Sequence, residues 1–152
     1  MAIFPLREMM KGNRMKRILY AICLTLLLAS NISAADVSGV EVTALSKSGS
    51  SWDGRVLPDY PNGKPEVTIL RIKIPPGAVL PLHKHLVINA GIMISGELTV
   101  GTEDGKTLHL KAGETIIEVV NTWHHGKNEG NKPAEIVVFY VGTMNAPLSV
   151  NK

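Results

Sequence analysis

The stretch PLHKHLVINAGIMISGEL, Pro81 to Leu98, decides how this chain is read. Its largely apolar run carries His83 and His85, two of the chain's five histidines, and a neutral amide, Asn89. Alternate residues of a strand project from one face, so His83 and His85 point the same way. Val87, Asn89, Gly91 and Met93 continue that phase if no bulge shifts the register. A barrel built on this strand receives both imidazoles and the amide inside, close enough to hold one ion. His-x-His alone does not separate a metal site from a strand with two incidental histidines.

Outward from this stretch the sequence reads as strands and turns. EVTILRIKI, Glu66 to Ile74, alternates Val67, Ile69, Arg71 and Lys73 against Thr68, Leu70, Ile72 and Ile74, and Pro75-Pro76-Gly77 ends it. Leu86 to Ser95 and Leu98 to Val100 are further apolar runs. TEDGKT, Thr102 to Thr107, carries Asp104-Gly105 and predicts a tight hairpin. Thr107 to Leu110, Thr115 to Val120 and Glu135 to Val141 supply more strands. Short strands at such regular spacing, with no helical period, predict an all-β antiparallel sandwich or barrel. Val40 to Ala44 is read as a further strand. SWDGRVLPDYPNGKP, Ser51 to Pro65, is read as a long loop clamped by Trp52 and Tyr60.

A second histidine cluster lies in NTWHHGKN, Asn121 to Asn128, where His124 and His125 follow Trp123. Neighbouring strand residues face opposite sides, so at most one of the two joins His83 and His85 in the interior. His109 alternates with Leu108 and Leu110 and is assigned to the solvent face.

These residues fall into a known pattern. Gly77, five residues, His83-Lys84-His85, three residues, Asn89, six residues and Gly96 resembles the first cupin motif in every spacing. His124, three residues and Asn128 resembles the end of the second motif. The resemblance covers about Gly77 to Gly142 and implies a small single-domain cupin, a jelly-roll barrel or double-stranded β-helix. It also implies a metal in the barrel mouth, held by two His and a Glu of the first motif and one His of the second. Carried over, the ligands are His83, His85 and His124, with Asn89 where the family has Glu. Val119 and Asn121 stand where the second motif often has Pro-x-Gly. Cupins often pair through sheet edges, which implies a homodimer, with residues 37–65 able to supply an edge-covering strand.

Three neutral imidazoles suit Mn, Fe, Zn, Ni or Cu, so donor type does not choose the metal. An Asn can offer only its carbonyl oxygen, a weaker ligand than a carboxylate. The exchange predicts lower metal affinity, a coordination position open to water or substrate, and attraction for an anionic molecule. The competing reading is a barrel whose histidines are hydrogen-bonded and hold no metal. Glu118 is in even phase with His124 and is a candidate base, against a solvated Glu on the sheet face. Met93 and His125 are candidate pocket residues; packing for Met93 and a solvated or ligand-orienting role for His125 stand beside that. No Ser–His–Asp order, phosphate-cradling Gly loop or paired-carboxylate signature is found.

The N-terminal region has a different character. MKRILYAICLTLLLASNISAAD, Met15 to Asp36, runs basic, apolar, then small, the layout of a secretory signal peptide. The expected organisation is therefore a leader over 1–35, with Met15 a possible start, and one cupin domain over 36–152. Through residue 35 there are five basic residues against Glu8 alone, so the chain's net +3 becomes about −1 beyond it. That balance gives no support for nucleic-acid binding or for membrane association after leader cleavage. Cys23, the only cysteine, leaves with the leader, so no disulfide assists folding.

The expected function is a periplasmic or secreted protein holding a divalent transition metal on His83, His85 and His124. It acts as an enzyme on a small, anionic molecule, oxygenase- or isomerase-like; the alternative is a non-catalytic module binding a small ligand or the metal.

Overall fold

The computed structural model describes residues 39–152. The chain divides into Met1–Val42 and Thr43–Lys152. The proposed leader and Cys23 lie outside the described residues, and 39–42 form no regular element. Nine strands follow: β1 Pro65–Ile74, β2 Val79–His85, β3 Ile88–Ser95, β4 Glu97–Thr102, β5 Thr107–Lys111, β6 Thr115–Ile117, β7 His124–Lys127, β8 Ala134–Thr143 and β9 Ser149–Asn151. No helix occurs among the described residues. A four-stranded sheet runs β1-β8-β3-β6 and a five-stranded sheet runs β5-β4-β7-β2-β9, all ladders antiparallel. This is the all-β jelly-roll expected from the strand spacing.

Alternation builds the core. In β8 every second residue from Ala134 to Gly142 is buried, while Phe139 between them is exposed. Ile136, Val138 and Tyr140 thus join Ile74, Met93, Leu98 and Val100 in one apolar cluster. Burying each such Val, Leu or Ile side chain contributes roughly 1.5–3 kcal/mol. The Asp104-Gly105 turn joins β4 to β5, with Gly105 N–H donating to the Thr102 carbonyl at 3.0 Å.

Several expectations need correction. The strand carrying His83 and His85 does not run on to Met93: β2 ends at His85, Leu86 and Val87 carry the chain from the five-stranded sheet into the four-stranded one, and β3 begins at Ile88. The inward phase nevertheless survives the crossing, because Val87, Asn89, Gly91 and Met93 are all buried. Strand β6 stops at Ile117, short of the expected Val120. Val40 to Ala44 forms no strand, and Val42 stays 82% exposed, because no neighbour pairs its backbone. Tyr60 is 75% exposed and clamps nothing. No strand forms between residue 39 and Lys64; instead the Trp52 N–H donates to the Ile117 carbonyl at 2.9 Å, covering the β6 edge at one point.

Candidate metal centre

The site begins with a bulge. Leu80 pairs with Gly126 and His83 with His124, so β2 carries one more residue than β7 between these rungs. Pro81 sits in that bulge, a position where its missing N–H breaks no ladder bond. The consequence is that His83 faces His124 directly across the strands, and cross-strand partners share a face. His85, two residues on, adds the third ring. Ring centroids are 4.3 Å apart for His83–His124, 5.0 Å for His85–His124 and 5.1 Å for His83–His85.

Backbone carbonyls fix which nitrogen of each ring is free. Nδ1 lies 2.7 Å from the Pro81 carbonyl in His83, 3.1 Å from Leu148 in His85 and 2.9 Å from Thr122 in His124. A carbonyl only accepts, so each Nδ1 carries the proton and each Nε2 presents its lone pair. One ligand atom from each of the three residues lies within 4.8 Å of the others. Burial drives the pKa of His85 and of His124 down to about 4, the carbonyl bonds and neighbouring imidazoles contributing smaller effects. Both are therefore neutral at physiological pH, the state in which imidazole binds a metal. His124 Nε2 is buried without any hydrogen-bond partner. That orphaned lone pair, converging with two others, fits a divalent transition ion; the donor set leaves its identity open.

The triad lines a cavity of about 60 Å³, room for an ion with a few waters or a very small molecule. Ile72, Leu98, Val100 and Val138 give it apolar walls, while Asn89, Glu118, His125 and Tyr140 are its other polar groups. Asn89 is 1% exposed; its Nδ2 reaches the Val87 carbonyl at 3.4 Å and its Oδ1 has no partner. Glu118 is 9% exposed, with its Oε2 unpartnered 3.9 Å from His124 Nε2. Burial pushes its carboxyl up to about 7, the Val119 N–H and the Trp52 indole drawing it back. Tyr140 is pushed up to about 12 by burial and by Glu118.

The remaining sequence candidates divide between the cavity rim and other parts of the fold. Met93 belongs to the apolar core and is not part of the cavity wall. His125 is largely exposed but also lines the histidine cavity, and its ring lies against Gly101, where an added Cβ would come within 2.7 Å of it. His109 stands on the outer face, 3.0 Å from Thr99 Oγ1. Asn128 is a fastener: fully buried, it donates to the Ile74 and Lys132 carbonyls and accepts from Gly130 N–H. Tyr140 is the cavity residue that motif reading missed. Its only sequence signal is its even phase in the run Glu135 to Val141.

Two antiparallel sheets enclosing a three-histidine cluster near the end of β2 define a cupin-type barrel. Residues 70–140 match the family model described as a cupin domain, and the chain carries a domain of the cupin superfamily. Among solved structures, a chain from a study of DMSP lyases is 19% identical with TM-score 0.50, covering 57% of this chain and 44% of that one. The oxalate decarboxylase of Lactobacillus farciminis, in complex with formate, is 18% identical with TM-score 0.50, covering 56% and 26%. An uncharacterized double-stranded β-helix protein of Klebsiella pneumoniae is 25% identical with TM-score 0.47, covering 73% and 96%. The chain thus spans less than half the length of the first two, and likeness at this level concerns the fold. No curated protein matches the chain.

Proposed function

We propose that this chain is a secreted or periplasmic metal-dependent enzyme that binds a divalent transition ion on His83, His85 and His124 and acts on a small oxygen-donor molecule. The observation that carries the reading is the convergence of three proton-free Nε2 atoms, on the buried His85 and His124 and the half-buried His83, each ring held by a backbone carbonyl. What such an ion supplies is Lewis acidity toward an oxygen of the bound molecule. The chain's own residues do the rest. Apolar walls exclude bulk water, Asn89 Oδ1 is free to accept a hydrogen bond from the bound molecule, and Tyr140 stays protonated at neutral pH. The small cavity favours compact molecules over extended ones, and oxygenase- or isomerase-like chemistry suits such a site. Secretion rests on the leader-like sequence before residue 36.

The test is metal analysis of protein isolated from its own compartment, followed by turnover assays on a panel of small hydroxy and carboxylic acids. One divalent ion per chain is expected, with turnover lost on chelation and restored by the ion. Stoichiometric binding with no turnover across the panel favours the second reading, a ligand- or metal-binding module. The mostly apolar cavity wall, with few groups able to move a proton, speaks for that alternative.

A homodimer is part of the same proposal. Val67, Ile69 and Phe139 are 62%, 58% and 44% exposed on the outer face of the four-stranded sheet, where Ile69 pairs with Phe139. A patch of this kind is a natural association surface. Light scattering is expected to give twice the chain mass, and Phe139→Lys to return it to the monomer value. An unchanged mass in that variant places the contact elsewhere.

A further inference from the structure

We infer that Glu118 supplies the carboxylate that residue 89 lacks, so that the metal site keeps one anionic ligand but takes it from the residue that follows β6. The inference rests on the reading that the three histidines hold a divalent ion.

The relevant geometry is the continuation of the β3–β6 register one residue past the end of β6. Ala90 pairs with Ile117, and on the next rung Glu118 N–H donates to the Asn89 carbonyl at 3.1 Å. Asn89 and Glu118 therefore stand opposite each other, and opposite residues project from the same face. Both are buried and both line the histidine cavity. Moving the carboxylate from one position to the other keeps it facing the same space. A Glu at both positions would place two carboxylates side by side, and like charges there repel.

The unpartnered atoms point to the same conclusion. Glu118 Oε2, Asn89 Oδ1 and His124 Nε2 are all buried acceptors without a donor. The 3.9 Å between Oε2 and Nε2 is too long for a hydrogen bond even if a proton lies between them. It suits two ligands of one ion, since atoms each about 2.1 Å from a metal lie roughly 3–4.2 Å apart. No Lys or Arg lines the cavity, so no side-chain cation there balances the carboxylate. The Trp52 indole N–H approaches Glu118 without closing a hydrogen bond. Glu118 stands outside the 4.8 Å span of the imidazole ligand atoms, so coordination requires a turn of its side chain as the ion enters.

Co²⁺ binding to the metal-free protein tests this, read by calorimetry and by the visible d–d spectrum. Glu118→Gln is expected to weaken Co²⁺ by at least about tenfold and to alter the spectrum, as losing an oxygen ligand does. Asn89→Glu in that background is expected to restore both, because the carboxylate returns to the same face. Asn89→Glu alone is expected to give no gain. If Glu118→Gln does not fold, the single Asn89→Glu variant decides, and a tenfold tightening overturns the inference. Wild-type binding that Glu118→Gln leaves unchanged in affinity and spectrum overturns the role of Glu118 while sparing the histidine site. Wild-type protein that takes up no Co²⁺ overturns the histidine reading and this inference with it.

Discussion

His124→Ala is expected to abolish stoichiometric binding of a divalent ion. His83 and His85 both come from β2, so His124 is the only imidazole that closes the site from β7. Its ring is 2% exposed and its Nδ1 is tied to Thr122, so no other orientation competes with the inward one. Removing even an outer partner of a ligand costs roughly 10–100-fold in affinity; removing the ligand itself is expected to cost at least about 100-fold. The thermal readout is equally large. An ion present at about 100 times its Kd stabilises the native state by about 2.7 kcal/mol. For a domain of this size that raises Tm by roughly 10 °C. The wild type should show this increment and the variant should not. The increment is the quantity to compare, because truncating a buried ring also lowers the baseline Tm. A variant that keeps one ion per chain and the full increment shows that His124 is not a ligand.

Gly96→Ala is expected to be the most damaging single-methyl change in the motif region, and without any effect of metal. Gly96 joins β3 to β4 with φ +73°, a conformation that L side chains rarely adopt. An added Cβ would lie 2.7 Å from both the Ala134 Cα and the Pro133 carbonyl oxygen, which are backbone atoms and cannot swing away. The left-handed conformation costs roughly 1–2 kcal/mol and overpacking roughly 1–3 more. The sum is a loss of about 2–5 kcal/mol, seen as a lower urea midpoint with an unchanged m-value. A loss below about 1 kcal/mol would mean that β3, β4 and the start of β8 separate without strain.

The same glycine shows what a spacing pattern can carry. Its place in the motif was legible at once, yet its reason is a contact with Ala134, 38 positions later. Strands β1 and β8 were legible because their alternation is long and clean. The break at Leu86 and Val87 was not, because the apolar run continues across it while the hydrogen-bond partners change sheets. Likewise β9, Ser149–Asn151, carries no alternation and exists only through its pairing with β2. Asn128 had a motif position without a role; the fold shows that it ties Ile74 to the turn at Lys132.

By itself the sequence determined the class of fold, the inward phase of His83, His85 and Asn89, and the departure at residue 89. Those follow from local periodicity, which any strand obeys whatever it pairs with. Only the tertiary structure decided that His83 faces His124, through a bulge at Pro81, and that three carbonyls turn the Nε2 atoms into the cavity. It alone set Glu118 beside Asn89, through a backbone hydrogen bond that extends the β3–β6 register, which pairing between segments apart in the chain fixes.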